Sequence, residues 1–203
     1  MFDFCFFLAV FSDLAYTHTP RIGRKRLLHL IETTLIKGGG GLSVEKIKFP
    51  PDVRRAVEEY GDSLYRLCTV MLQNRDDAQD AVQESFLRYI TKAPDFKNQE
   101  HEKAWLIRVA SNVCKDMLRY RRHSSLLSLD EIRTVSTSED NAQILGMLMM
   151  LEEKYRAVIH LHYVEGYAAD EISSMLGISS AAVRKRLQRG REKLREIYEK
   201  EAM

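Results

Sequence analysis

From Val53 onward, Val53, Val57, Tyr60, Leu64, Leu67 and Met71 recur at alternating steps of four and three. With 3.6 residues per turn these positions share one face, so the spacing predicts an amphipathic helix. The polar run Gln73–Asp77 ends it. A second helix is expected from about Asp77 to Thr91, turning Ala78, Val82, Phe86 and Tyr89 inward. Pro94 and the polar DFKNQEHE that follows predict a loop. A third helix, about Lys103–Arg122, would bury Trp105, Leu106, Val109, Ala110, Val113 and Met117. His123–Asp140 is rich in Ser and Thr without a sustained period and reads as a linker. Helical pattern resumes over Asn141–Tyr163, Ala168–Leu176 and Ser179–Glu199, interrupted at Gly166 and Gly177. No segment alternates with the period of a strand. The expected class is all-α, two small helical domains at 46–123 and 142–203 joined by a flexible linker at 124–141, with residues 1–45 outside the pattern.

In the last segment Ile172, Leu176, Ile178, Val183 and Leu187 supply a compact core. Gly177 suits the positive φ at which two helices turn sharply, and Ser179 is a candidate N-cap. This is the helix-turn-helix pattern, whose second helix enters a major groove. At 100° per residue Val183, Leu187, Gly190 and Leu194 form its inner face. Opposite lie Ala181, Lys185, Gln188 and Glu192, flanked by Arg184, Arg189 and Arg195. Ser180 and Ala181 are small enough for close approach, and Arg184, Lys185 and Gln188 carry donors suited to guanine or adenine edges. Arg186, Arg189 and Arg191 extend the basic surface. A merely solvated helix would intersperse acids as i,i+4 partners; Arg184–Arg195 holds seven Lys/Arg against the single Glu192.

Charge sharpens the other helices. The chain has a net charge of only +2, but its charges are segregated. In the third helix Arg108, Asn112, Lys115, Arg119 and Arg122 follow one another at four, three, four and three, with Ser111 beside them. That stripe suits a nucleic-acid backbone; solubilising surface charge is the plainer alternative. The second helix opens with Asp76 and Asp77, which complement its dipole. Asp80, Gln83, Glu84 and the outward Leu87 exceed what capping needs and look like a docking face for a basic helical partner. Cys5, Cys68 and Cys114 show no paired spacing, so neither a disulfide framework nor a zinc site is indicated, and a reducing cytoplasmic setting is expected. No nucleophile–base pair, metal-ligand spacing or phosphate loop is evident. His160 and His162 fall on different helix faces, as packing or surface residues. No cofactor, metal, small-molecule substrate or catalytic residue is expected.

DDAQDAVQESFLRY, AWLIRVASNVCKDMLRYRR, LEEKYRAVIHLHYVEGYAADEISSMLGIS and AAVRKRLQRGREKLR occur in that order over Val53–Tyr198. Together they resemble regions two and four of the ECF (extracytoplasmic-function) sigma factors of bacterial RNA polymerase, in the sigma-70 superfamily. The resemblance implies a non-enzymatic specificity subunit that directs promoter-specific initiation. It implies that the second helix (Asp77, Asp80, Gln83, Glu84, Leu87) docks on the clamp coiled coil of the largest subunit of core polymerase. The third helix (Arg108, Asn112, Lys115, Arg119, Arg122) would bind and help open the −10 element. The last helix (Ser180, Ala181, Arg184, Lys185, Arg186, Gln188, Arg189, Arg191) would read the −35 element of promoter DNA, and an anti-sigma factor would be a further partner. Ser173 stands where the family carries alanine after Glu-Ile, and its hydroxyl is expected to bond to the main chain. Ser180-Ala181-Ala182 replaces the usual Gly-Thr before valine.

The leader Met1–Ser43 has no counterpart in that pattern. Phe4–Phe11 is apolar but far short of the roughly 20 residues a spanning helix needs, leaving a weak anchor as one reading. The other starts from Lys37–Val44 (KGGGGLSV), which is what an in-frame purine-rich ribosome-binding site translates to. On that reading Val44 is a GTG start and residues 1–43 are untranslated. Rival functions are a stand-alone helix-turn-helix regulator, which needs neither the acidic face nor the second basic stripe, and an enzyme or RNA-binding accessory factor.

Overall fold

A computed structural model describes residues 51–120 and 146–201, and every regular element among them is helical. They are α1 (Pro51–Leu72), α2 (Arg75–Lys92), α3 (Gln99–Tyr120), α4 (Glu153–Ile159), α5 (Ala169–Leu176) and α6 (Ser180–Glu201). Residues 146–149 are also helical, and α4 runs directly into a π-helical turn, His160–Val164. The leader, Arg122 and the proposed linker lie outside the described residues.

In α1–α3 each helix packs on the other two; α6 packs on α4 and α5. All six stripe residues of α1 are buried, as are Ala78, Val82, Phe86 and Tyr89 of α2. In α3 the expected inner residues Leu106, Ala110 and Val113 are buried, while Trp105, Val109 and Met117 are half-buried against the core. Trp105 meets Tyr89 and Phe96 edge-on, at centroid distances of 6.2 and 5.8 Å, so it is a packing residue.

The boundaries differ from the expected ones for identifiable reasons. α1 ends at Gln73, whose φ of 53° is left-handed and whose N–H still reaches the Thr69 carbonyl at 2.9 Å. Asn74 then caps α2, its side chain accepting from the Asp77 N–H at 3.0 Å, so the helix begins at Arg75. α3 begins inside the expected loop: the Asn98 side chain accepts from the His101 N–H at 2.8 Å, making Gln99–Glu102 a first turn. Glu102 is drawn in by partners that no local pattern reveals. Its carboxylate accepts from Arg55 Nη2 at 2.7 and 2.8 Å, from the Tyr60 hydroxyl at 3.2 Å and from the Tyr89 hydroxyl.

The single helix expected over Asn141–Tyr163 is broken at Met150–Glu152. Arg156, only 6% exposed, causes the break. Its Nη1 donates to the Met149 and Leu151 carbonyls at 3.0 and 2.7 Å, and its Nη2 to the Met71 carbonyl at 3.1 Å. Burial lowers its pKa to about 10, which still leaves it charged at neutral pH. A buried guanidinium needs acceptors in several directions, and only an opened turn supplies them. The bond to Met71 also joins the α4–α6 unit to α1, and α3 packs on α5, so the two helical units lie against each other.

Candidate nucleic-acid interface

The turn between α5 and α6 is built as the sequence suggests. The Glu171 carboxylate reaches back to the Ala168 N–H at 2.7 Å and closes the start of α5. Gly177 ends it with φ 65°, a conformation open to glycine at little cost, and the Ser173 carbonyl accepts from the Gly177 and Ile178 N–H groups at 3.0 and 3.2 Å. Ser173 bonds to the main chain as expected, across the turn: its hydroxyl donates to the Ile178 carbonyl at 2.8 Å. Ser179 caps α6 by accepting from the Ala182 N–H at 3.2 Å.

Val183, Leu187, Gly190 and Leu194 are buried on the inner face of α6. At Gly190 a Cβ would lie 2.9 Å from Ile159 Cγ1, so the glycine lets α6 lie directly on α4. Outward, Ala181, Arg184, Lys185, Gln188 and Arg189 are exposed, whereas Ser180, Arg186 and Arg191 are half-buried. Arg184 pairs with the exposed Asp170 at 3.1 Å, Gln188 donates to Glu192 at 2.9 Å, and Arg191 donates to the Tyr163 hydroxyl at 3.2 Å. The exposed bonds of Arg184 and Gln188 exchange readily with groups of a partner, whereas that of Arg191 is partly buried. His160 is buried and His162 bonds the Tyr167 carbonyl at 2.7 Å, so the two histidines part as expected.

On α3, Arg108, Asn112 and Arg119 are exposed, and Arg119 pairs with Asp116 at 3.1 Å. Two corrections apply. Ser111 is buried rather than beside the stripe on the surface. Lys115 is half-buried, with its Nζ 3.4 Å from the Leu176 carbonyl, and Arg108 donates to the Ser174 carbonyl, so α5 covers part of the stripe. Burial, with Arg186 and Arg119 close by, lowers the Lys115 pKa despite the opposing pull of Glu153.

Asp80, Gln83, Glu84 and Leu87 line one wall of a groove of about 410 Å³ between α2 and α3. Asp116, Met117 and Tyr120 form the opposite wall, and Tyr120 is 91% exposed. The groove thus has an apolar floor and mainly acidic shoulders, with Arg88 on its rim paired to Glu84 at 2.7 Å, a shape and charge suited to a basic amphipathic helix. Burial and the neighbouring Asp76 raise the Asp80 carboxyl above its ordinary pKa, so an arriving cation would relieve strain already present. Asp77 does not share this surface. It is 5% exposed, because the third residue of a capped helix turns its side chain back toward the body. The second wall was unrecognised in the sequence, although Val113, Met117 and Tyr120 continue one stripe at four and three.

Among the described residues no cluster of His, Cys, Asp or Glu is placed to hold a metal ion, and no helix is long and apolar enough to cross a membrane. Cys68 and Cys114 are free and buried.

Comparison with known proteins gives two family matches, Sigma-70 region 2 over residues 56–124 and Sigma-70, region 4 over residues 141–194. The chain is 31% identical over 159 residues to the ECF RNA polymerase sigma factor SigW of Bacillus subtilis, covering 68% of this chain and 84% of that one. It is 33% identical over 135 residues to the RNA polymerase sigma factor CarQ of Myxococcus xanthus, covering 63% and 78%. Against the ECF RNA polymerase sigma factor SigE of Mycolicibacterium smegmatis it is 30% identical over 162 residues, 74% of this chain but only 63% of the relative's length. Solved structures share the fold. CnrH in complex with the cytosolic domain of CnrY has a TM-score of 0.57 at 23% identity, over 85% of this chain and 97% of that one. RpoE of Bartonella quintana with the anti-sigma factor NepR has a TM-score of 0.60 at 20% identity, over 74% and 98%. With both regions matched in order and relatives at this identity, the chain belongs to the ECF RNA polymerase sigma factors, non-catalytic subunits that direct promoter-specific transcription initiation.

Proposed function

We propose that three surfaces divide the work of initiation: the α2–α3 groove docks on core polymerase, the α3 stripe takes the −10 element, and α6 reads the −35 element. Asp80, Gln83, Glu84 and Leu87, joined by Asp116, Met117 and Tyr120, receive the clamp coiled coil. Arg108, Asn112, Lys115, Arg119 and Arg122 hold the strand opened at −10. Ala181, Arg184, Lys185 and Gln188 meet base edges at −35, with Ser180, Arg186, Arg189 and Arg191 around them on the phosphates. The observation that carries this reading is the exposed basic and amide face at the start of α6, directly after a tight left-handed turn. Two weak DNA contacts on one chain reinforce each other through effective concentration. The protein works in the cytoplasm, and an anti-sigma factor is a further partner, as for the RpoE neighbour solved with NepR.

The test is reconstitution with core polymerase followed by sequencing of the transcripts it initiates. Lys185→Ala and Gln188→Ala should change promoter choice with core affinity intact. Asp80→Ala and Glu84→Ala should weaken core binding with −35 preference intact. Tight binding of palindromic duplex without polymerase, and failure to associate with core, would sink the proposal.

A further inference from the structure

The donors of α6 fall into two groups by what they touch. Arg184, assigned above to base edges, donates from Nη2 to Asp170 Oδ1 at 3.1 Å, across the turn from the second residue of α5. Gln188, also a base-edge residue, donates to the Glu192 carboxylate at 2.9 Å. Arg186, Arg189 and Arg191, assigned to phosphates, pair with no carboxylate among the described residues, and Arg191 bonds the neutral Tyr163 hydroxyl at 3.2 Å. Acids therefore accompany two of the side chains that read and none of those that grip. Lys185, with no acid partner among the described residues, is the reader that keeps its charge.

Stability does not explain the Asp170 pair. The two side chains are 71% and 63% exposed, and ion pairs so open to water contribute little. Closing the first turn of α5 falls to Glu171, which accepts from the Ala168 N–H at 2.7 Å. Asp170 complements the dipole of α5 as well, a service that Glu171 shares. For DNA binding the position is unfavourable. In a helix-turn-helix the first helix crosses the sugar-phosphate backbone, so a carboxylate at the start of α5 stands near phosphates and repels them. Arg184 is the cation that neutralises it.

We propose that Asp170 is a positioning residue that sets promoter selectivity through Arg184. It cancels the attraction of that cation for phosphates in general and leaves its hydrogen-bonding fork for a base edge. A guanidinium carries five N–H donors, so the one held by Asp170 leaves enough for two bonds to guanine O6 and N7. Paired in this way, Arg184 adds little to the counterion release that drives sequence-independent binding. A phosphate must displace Asp170 to capture the charge of Arg184, whereas a guanine edge need not. Wrong sequences therefore lose more than the right one. Affinity then comes mainly from Arg186, Arg189 and Arg191, and selectivity from Arg184. This rests on the −35 reading of α6 given above.

The test uses assembled holoenzyme on two duplexes: a promoter mapped by transcript sequencing, and the same promoter with its −35 element scrambled. The ratio of the two affinities is the selectivity, and contacts made by core polymerase cancel from it. Asp170→Asn should tighten binding to the scrambled promoter and lower the ratio by about threefold or more. On that promoter the slope of log affinity against log salt should steepen by about 0.9, the equivalent of one phosphate. Asp170→Glu should keep the wild-type ratio and slope. In an Arg184→Ala background Asp170→Asn should leave the ratio unchanged, because a bare charge acts on both promoters alike. An unchanged ratio for Asp170→Asn, a ratio for Asp170→Glu as low as that for Asp170→Asn, or an equal fall in the Arg184→Ala background would each overturn the role of Asp170. Arg184→Ala alone scores the −35 reading separately. If it leaves the ratio unchanged, the reading of Arg184 fails. If it lowers the ratio and Asp170→Asn does not, only the role of Asp170 falls.

Discussion

Replacing Glu102 by alanine should cost the α1–α3 unit about 3 kcal/mol, and the sum can be traced through its partners. The Tyr89 hydroxyl, on a residue 7% exposed, loses its carboxylate. The Tyr60 hydroxyl falls back on a long 3.4 Å contact to the Gln99 carbonyl. Each buried group left without a good partner costs about 1–3 kcal/mol. Arg55 keeps Glu59 at 2.8 Å and is 38% exposed, so water replaces most of what it loses. A unit of about 70 residues has roughly 4–10 kcal/mol in all, so the variant should unfold at markedly lower urea. Urea titration followed by circular dichroism measures this, run as a cycle with Tyr89→Phe. The double variant should fall short of additivity by about 1 kcal/mol or more. Burial pushes the Glu102 carboxyl up, but the hydrogen bonds from Arg55 and Tyr89, with that from Tyr60, outweigh it and hold the pKa below ordinary. Its contribution is therefore full above the ordinary carboxylate pKa and fades as pH falls through the lowered value, so wild type and variant should converge in acid. A loss below about 1 kcal/mol, or full additivity with Tyr89→Phe, would refute the reasoning.

Gly190→Ala should lower the melting temperature even though alanine favours a helix by about 1 kcal/mol. Its Cβ would meet Ile159 at 2.9 and 3.1 Å, and in an Ile159→Ala background the same change should turn stabilising. Burial lowers the His160 pKa to about 4, although Glu165 raises it and Arg66 adds to the lowering. Stability from the neutral ring should be complete above about pH 6.5 and decline as pH falls toward the folded value, and a His160→Gln variant should show a flatter urea-midpoint profile. Tyr120→Asp, at a site 91% exposed, should leave thermal stability unchanged and weaken binding to core polymerase at least fivefold by fluorescence anisotropy. An unchanged affinity would remove Tyr120 from the docking face.

The inner faces were legible because a helix packed on one side carries its burial pattern at steps of three and four. Val53 through Met71 in α1 and Val183 through Leu194 in α6 were readable in this way. So was the tight turn, where Gly177 is the residue that a positive φ selects. What escaped depends on partners far along the chain. Glu102 reads as an exposed loop acid until Arg55, Tyr60 and Tyr89 are seen around it. Arg156 is not singled out by the sequence pattern, and it gathers carbonyls on both sides of a helix break. The resemblance groups Asp77 with Asp80, and burial in the capped first turn separates them, as the helix-dipole reading of Asp77 already suggests. The contact of α5 with Arg108 and Lys115 was invisible for the same reason: periodicity gives a helix its faces but not its neighbours.

Arg156 carries one more implication. It ties Met71 to Met149 and Leu151, while Gln73 reaches Met149 from the same side as Met71. These bonds connect the two sides of the chain without using any backbone between Tyr120 and Gly146. A cut in that stretch should leave fragments that stay mated and migrate as one species on a sizing column until denaturant or a competing partner draws the units apart. The same property makes the stretch a natural place to divide the gene. Two separately expressed pieces would find each other without an added dimerisation tag, and a two-piece transcription switch could be assembled from them.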